Sequence, residues 1–488
     1  MMGEQVDTLD VIDPAVGTPI ATVELAGPAQ VDAAVRKARE AFADWSRQSP
    51  GARGDALLAL AERLRTRADE YAMVESRQTG KTLRMATEFD VPGSIDNVVF
   101  FAGAARILEG RASAEYDPDH TSVIRREPVG VVGSVAPWNY PLQMAMWKVL
   151  PAIAAGNTIV LKPAEITPLT SVMLAEDALA AGIPEGVLNV VVGTGPVAGE
   201  ALIGHPDVDM VSFTGSTPIG KRVMEVASAR AARVHLELGG KAPFVVFDDA
   251  DLEAAVHGAA AGALINTGQD CTAATRAYVQ RPLYDAFVAG ISDLFASIRI
   301  GDPRDPDIDM GSLVSTRQAE RVAGYVDRAR ADGAKVRVGG QVPGGALSAG
   351  AFYPATVITD AAQDSQIVQE EVFGPVLVVL PFDSDDEGIA LANDTPFGLA
   401  ASAWTTDVFR AQRAQREIRA GCVWLNDHIP IVSEMPHGGM KQSGFGKDMS
   451  LYSLEDYTIV KHVSWDITGQ PRKQWHRTVF ADRSGTDR

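Results

Sequence analysis

Between Lys148 and Ser212 the chain alternates short apolar runs with helical stretches: NTIVLKP, PLTSVMLAEDALAAG, GVLNVVVG, VAGEALIGHP and VDMVSFTGS. That order describes βαβαβ, hence a parallel sheet with helices on its faces. Nucleotide sites favour such sheets, at the carboxyl ends of the strands. A second α/β pattern begins after Gly240, with APFVVFDD, a helix through Ala263 and a strand near Tyr278, so a domain boundary is expected close to residue 239. Upstream, AQVDAAVRKAREAFADW and ARGDALLALAERLRTRADEYA place apolar residues three and four apart and predict two helices between Pro28 and Ala72. From Glu115 to Gly130, a charged stretch around Asp117, Pro118 and Asp119 leads into SVIRREPVGVVGSVA, which reads as an extended hairpin followed by a buried strand.

At 488 residues the chain is too long for one ordinary domain, and two or three folding units are expected. No fixed period returns along it, which excludes solenoids and collagen-like arrays. A formal charge of −19 argues against nucleic-acid or anionic-membrane partners, because phosphate binding needs a basic face. Cys271 and Cys422 are the only cysteines, too few for a disulfide scaffold, which favours a reducing compartment. Met1 to Asp13 has no Lys, Arg or apolar run, so no secretory or transit signal is expected and a cytoplasmic location is. The least polar stretch, Ala254 to Ile265, contains His257 and falls short of the roughly 20 apolar residues a span requires. The end, from Arg472 to Arg488, reads as a polar tail.

Three glycine motifs suggest phosphate chemistry, with unequal force. Gly80-Lys81-Thr82 resembles the end of a P-loop, but Glu75 stands where that pattern needs glycine. Gly193-Thr194-Gly195-Pro196-Val197-Ala198 follows a strand and matches the loose G-x-G-x-x-A fingerprint, and it reads equally well as a tight strand-to-helix turn. Phe213-Thr214-Gly215-Ser216-Thr217-Pro218-Ile219-Gly220 is stronger: it ends a strand and opens a helix that Ser216 or Thr217 can cap, leaving backbone N–H groups for a pyrophosphate. Lys162-Pro163-Ala164-Glu165 leaves another strand end, bringing a cation and a carboxylate towards the same crevice.

These segments, taken in order, resemble the aldehyde dehydrogenase superfamily: PWNYPLQMAMWKVLPAIAAGN, LKPAE, FTGSTPIG, ELGGKAPFVV, GQDCTAATR and EEVFGPV. The block SEMPHGGMKQSGFGKDMSLYSLEDYTIVKHV, with Asp270 before Cys271, is most similar to the γ-aminobutyraldehyde dehydrogenases. The resemblance implies an α/β fold with a Rossmann-like NAD-binding domain (1–112 and 131–238) and a second α/β catalytic domain (239–438). It also implies a small β oligomerisation element (113–130 and 451–478), a polar tail (479–488) and a homo-oligomer, with a tetramer favoured over a dimer. NAD is the implied cofactor, and no metal is implied.

Oxidising an aldehyde by hydride loss first needs a nucleophile on the carbonyl carbon. The resemblance gives this role to Cys271, whereas Cys422, in AGCVWLN, reads as a core-strand residue. It assigns the oxyanion to the Asn139 side-chain amide and the Cys271 backbone N–H; losing such a donor typically costs about 10²- to 10³-fold. Glu237 matches the base that activates water against the thioester. Lys162 and Glu165 are assigned to the adenosine ribose and Gly195 to the cofactor. Phe213, Gly215 and Ser216 go to the pyrophosphate, Glu371 and Phe373 to the nicotinamide ribose, and Trp138 and Leu238 to the lining of that end. Asp448 stands where many relatives have glutamate.

The aldehyde is expected to be an ω-aminoaldehyde, 4-aminobutyraldehyde foremost, as in putrescine breakdown. Its ammonium group calls for aromatic faces or a carboxylate. Tyr140 and Trp147 match aromatic tunnel positions, and Asp270 is placed to pair with the ammonium unless it is a structural carboxylate bonded to nearby backbone. His437 and Ile265 stand where betaine aldehyde dehydrogenases often carry tryptophan, which weakens the case for a quaternary ammonium. Betaine aldehyde or a general aliphatic or aromatic aldehyde remains the alternative, and a cysteine esterase without redox activity is the alternative from another class.

Overall fold

The computed structural model describes residues 7–480, so residues 481–488 of the expected tail and the first six residues lie outside it. A six-stranded sheet carries the nucleotide-type crevice. Its strands are β1 (Val131–Val135), β2 (Thr158–Lys162), β3 (Leu188–Val190), β4 (Met210–Thr214), β5 (Arg233–Glu237) and β6 (Gly444–Phe445), ordered β6-β5-β4-β1-β2-β3. The first five are parallel and β6 is antiparallel to β5. From β1 the chain steps outward through β2 and β3, then returns to the other side of β1 for β4 and β5. Neighbouring strands β1 and β4 therefore lead away in opposite directions, and a crevice opens beyond their carboxyl ends.

The sequence explains these strands. VVGSV and TIVLK are almost wholly buried, as strands covered on both faces must be. Helix α1 (Pro141–Ala155) follows β1, is buried at every residue and ends at Gly156, whose φ of 98° closes it in a left-handed turn. Helix α2 (Thr217–Ser228) follows β4.

The second sheet has seven strands in the order Lys335–Val338, Thr356–Thr359, Val376–Phe382, Ala274–Gln280, Ala242–Val246, Ala400–Trp404 and Cys422–Leu425. All its pairings are parallel except that of the edge strand Lys335–Val338. A three-stranded antiparallel sheet joins the hairpin Arg111–Asp117 and His120–Pro128 to the late strand Thr458–Asp466. The fold is α/β with Rossmann-like parallel sheets, as the alternating pattern predicts.

Two departures from expectation are instructive. The helical N-terminal region holds three helices, Pro28–Trp45, Pro50–Thr66 and Ala68–Thr79, and it is preceded by an unanticipated hairpin of Thr8–Asp13 and Thr18–Glu24. Most residues of those two strands are exposed or half-buried, so they carry little of the apolar alternation that announces a strand. No helix among the described residues is long and apolar enough to cross a membrane.

Candidate active site

A cavity of about 770 Å³ lies beyond β1, β4 and β5, against the loop that carries Cys271. Much of the wall comes from strand ends. β1 delivers Trp138, Asn139 and Tyr140, β4 delivers Gly215 and Ser216, and β5 is followed by Leu238. Glu165 approaches from beyond β2, and Trp147 from α1. Asp270, Cys271, Glu371, Phe373 and His437 complete the set of sequence-predicted residues on the wall. Lys162, Gly195, Phe213 and Glu237 are not among the lining residues.

The loop that carries Cys271 is tightly constrained by its backbone and its hydrogen bonds. Asn266, Thr267 and Gly268 have φ values of 49°, 58° and 70°, three successive left-handed residues. At Gly268 a Cβ would stand 2.2 Å from the Gly374 carbonyl oxygen, so both conformation and space demand glycine. The Asn266 amide donates to the carbonyls of Asn139 (2.8 Å) and Gln269 (3.1 Å), and the Asn139 amide donates to the Gln269 carbonyl at 3.0 Å. An amide nitrogen has two hydrogens, so Asn139 can still donate to a group in the cavity. Gly240 closes the other side, because a Cβ there would lie 2.1 Å from the Cys271 carbonyl oxygen. Burial and the carboxylates of Asp270, Glu371 and Glu237 raise the Cys271 thiol well above its ordinary pKa.

Two carboxylates flank this cysteine differently. Asp270 Oδ1 accepts from the Thr272 backbone N–H and hydroxyl, both at 2.6 Å, and Oδ2 accepts from the Tyr140 hydroxyl at 2.7 Å. Asp270 is thus fully bonded within the protein while still forming part of the wall. The Tyr140 ring rests on the buried Lys81, whose ammonium lies 4.2 Å from the ring centre and is paired with Asp90. Gly80-Lys81-Thr82 is therefore a buttress under the wall rather than a phosphate loop. Glu237, in contrast, is buried with no hydrogen-bond partner on either oxygen. Burial and the negative Asp448 push its carboxyl well above the ordinary range, against the pull of Lys148 and Lys447. His437 is its nearest polar neighbour among the ion-pair contacts, Nδ1 to Oε2 at 3.8 Å. Asp448 itself is buried between Lys148 (2.8 Å) and His235 (3.2 Å), and against the upward push of burial its contacts with these two side chains draw its carboxyl down to about 2.

On the crevice side, α2 begins at Ser216 with no side-chain cap, and Thr217 donates its hydroxyl to the Gln442 carbonyl instead. The expected hydroxyl cap is absent, because that contact draws Thr217 away and the Ser216 side chain lies on the cavity wall. Lys162 is buried, donating to the carbonyls of Pro163 (2.7 Å) and Gly193 (2.9 Å), and Glu165 stands 3.4 Å from it. Gly195 opens a helical turn, so Gly193 to Gly199 forms a tight strand-to-helix turn. Phe213 is buried with its ring under Gly215. Glu371 accepts from the Gly240 backbone N–H at 2.9 Å, and burial pushes its carboxyl up to about 7. Trp138 and Phe373 meet edge to face at 5.2 Å, with Phe373 at a φ of 62°. A non-glycine residue kept in that region is strained, and such strain concentrates at functional sites.

The whole chain up to the late strand, residues 1–463, matches the aldehyde dehydrogenase family. The chain belongs to that family. Among solved aldehyde dehydrogenase structures it is similar to a betaine aldehyde dehydrogenase from Staphylococcus aureus in complex with NAD+, at 39% identity and a TM-score of 0.93, covering 95% of this chain and 93% of that one. It is also similar to PnpE from Pseudomonas sp. WBC-3, at 40% identity and a TM-score of 0.94, covering 96% of each chain. PnpE has in addition been crystallised with nicotinamide adenine dinucleotide. For an aldehyde dehydrogenase, this site holds parts that sequence reasoning missed. Asn266 and Gln269 pin the Cys271 loop, Lys81 and Asp90 support Tyr140, and Arg317 and Arg321 line the crevice. A polar residue followed by Thr267-Gly268 was the one local hint of a left-handed turn.

Proposed function

We propose that this aldehyde dehydrogenase oxidises short ω-aminoaldehydes, 4-aminobutyraldehyde foremost, with NAD, as a step of putrescine breakdown. The observation that carries this reading is the Asp270 carboxylate on the cavity wall, beside Cys271 and bonded to the Tyr140 hydroxyl at 2.7 Å. A cationic tail is attracted by that charge and by the aromatic faces of Tyr140 and Trp147, whereas an anionic tail is repelled.

The crevice residues fit NAD. The uncapped start of α2 offers free backbone N–H groups to a pyrophosphate, and Gly215 and Ser216 border the cavity there. Glu165 is available to a ribose and repels a phosphate on the 2′ position. Glu371, Trp138 and Phe373 would hold the nicotinamide end. Lys162, buried and bonded to two carbonyls, supports the Glu165 segment from behind, and Gly195 and Phe213 shape the turns on which the crevice rests. When bound, NAD supplies the hydride acceptor.

The reaction at the protein side runs in two stages. The Cys271 thiolate adds to the aldehyde carbon, and the Asn139 amide with the Cys271 backbone N–H stabilises the resulting oxyanion. Loss of hydride leaves a thioester on Cys271, and water activated by the basicity of Glu237 then releases the acid. A cytoplasmic homotetramer is part of the proposal; exposed Ile459, Val460 and Trp465 on the late strand support assembly through that sheet.

Betaine aldehyde is the second reading, favoured by the likeness to the Staphylococcus aureus enzyme. Steady-state kcat/KM with NAD for 4-aminobutyraldehyde, betaine aldehyde and succinate semialdehyde tests the proposal. The first is expected to lead, and a preference for succinate semialdehyde would overturn the role of Asp270. Ester turnover without NADH from any aldehyde would instead mark a cysteine esterase.

A further inference from the structure

Trp147 stands on the cavity wall while its indole nitrogen is tied to buried side chains of two other segments. The indole N–H donates to Asn97 Oδ1 at 2.7 Å, Asn97 Nδ2 donates to Ser433 Oγ at 2.6 Å, and the Ser433 hydroxyl donates to Asp96 Oδ2. Trp147, Asn97 and Ser433 are each no more than 3% exposed, so water does not compete for these bonds; Asp96, at the far end, is exposed.

The ends of this chain of bonds fix its direction. An indole nitrogen only donates and a carboxylate only accepts. Asn97 must therefore turn its oxygen to Trp147 and its nitrogen to Ser433, and the single hydroxyl hydrogen of Ser433 goes to Asp96. Three segments supply the parts. Asp96 and Asn97 lie on the helix Val91–Arg106, Trp147 lies on α1, and Ser433 lies on the late loop that also carries His437. The Ser433 carbonyl accepts from the Ser450 N–H at 2.9 Å, which ties that loop to the helix Ser450–Asp456. The His437 ring packs against the indole with centres 4.9 Å apart. Rotating the indole about its second side-chain torsion swings its nitrogen off the Asn97 oxygen, and a buried N–H without a partner is costly. The bond thus selects one orientation of the ring.

We propose that Asn97 and Ser433 are positioning residues for substrate choice: by holding the Trp147 indole in one orientation on the cavity wall, they set the preference for an aldehyde with a cationic tail over a neutral one of the same length. This rests on the aminoaldehyde reading given above. A cation is attracted to an aromatic ring only when it lies over the face of that ring, so a turned indole loses the attraction while still filling its place in the wall. The tail is remote from the reacting carbon. Its contact with the ring is made equally in the ground state and the transition state, and its loss therefore raises KM and leaves kcat alone.

The test compares 4-aminobutyraldehyde with pentanal, in which a methyl group replaces the ammonium, at saturating NAD in the parent, S433A and N97L. In both variants kcat/KM for 4-aminobutyraldehyde is expected to fall about fivefold to tenfold through KM, as for loss of one partly desolvated cation–π contact. Its kcat, and both constants for pentanal, are expected to stay within about twofold of the parent. Equal losses for the two aldehydes, or a loss carried by kcat, would mark a merely structural role and overturn the proposal. Parental kcat/KM for 4-aminobutyraldehyde in S433A overturns it too. Should N97L fail to fold, S433A, which removes a single oxygen atom, decides alone. A parent that itself prefers pentanal overturns the aminoaldehyde reading, and inhibition of pentanal oxidation by butylammonium then reads the indole. Inhibition about fivefold weaker in S433A supports the positioning role, and equal inhibition overturns it.

Discussion

The two carboxylates near Cys271 are set in opposite kinds of surroundings. Asp270 bonds through both oxygens to Thr272 and Tyr140, and Tyr140 is in turn supported by the buried pair Lys81 and Asp90. Glu237, by contrast, has neither oxygen hydrogen-bonded, and His437 Nδ1, also unbonded, stands 3.8 Å from its Oε2. A carboxylate bonded through both oxygens keeps its place, which suits recognition of a cation. An unsatisfied one has a raised pKa and freedom to exchange a proton, which suits catalysis.

Substitutions should separate these two carboxylates, and the largest effect belongs to the unsatisfied one. E237Q is expected to lower steady-state kcat by about 10²- to 10⁴-fold while still forming NADH in the first turnover. Rapid mixing with NAD and aldehyde measures both, and loss of the first turnover would place Glu237 in the acylation step instead. D270N comes next. Its kcat/KM for 4-aminobutyraldehyde is expected to fall about tenfold, as for loss of one charge-assisted contact of roughly 1.4 kcal/mol, with propanal little affected. The same variant sharpens the electrostatics, since Asp270 follows burial among the causes that raise the Cys271 thiol. Removing that charge makes the thiolate easier to form, so the pH at which first-turnover NADH formation reaches half its maximum should move down. An upward move would contradict the assignment. Y140F is expected to have the smallest effect, about fivefold in kcat/KM for the aminoaldehyde alone, because it removes one bond worth about 1 kcal/mol and leaves Thr272 in place. Equal losses for propanal would show that Tyr140 shapes the cavity rather than orienting Asp270.

Much of this arrangement was legible in the residues. The alternation from Lys148 to Ser212 predicts the parallel sheet, and FTGSTPIG predicts the β4-to-α2 turn, because strand periodicity and turn chemistry are local properties. What was not legible depends on packing between distant segments. Lys162 is drawn to the Gly193 carbonyl, far along the chain, a bond that no local spacing announces. Gly193 to Gly199 closes on itself because Ala198 packs against Gly193, whereas the equally glycine-bearing turn at Gly215 opens onto the cavity. The meeting of His437 with Glu237 joins a late loop to the end of β5, and no spacing along the chain announces it.

The most direct test of the account uses the fact that the chain has two cysteines. E237Q, mixed with aldehyde and NAD and then digested, should carry the acyl group on the peptide containing Cys271, with NADH formed in equal amount. An acyl group on Cys422, or NADH formed with Cys271 unmodified, would contradict it.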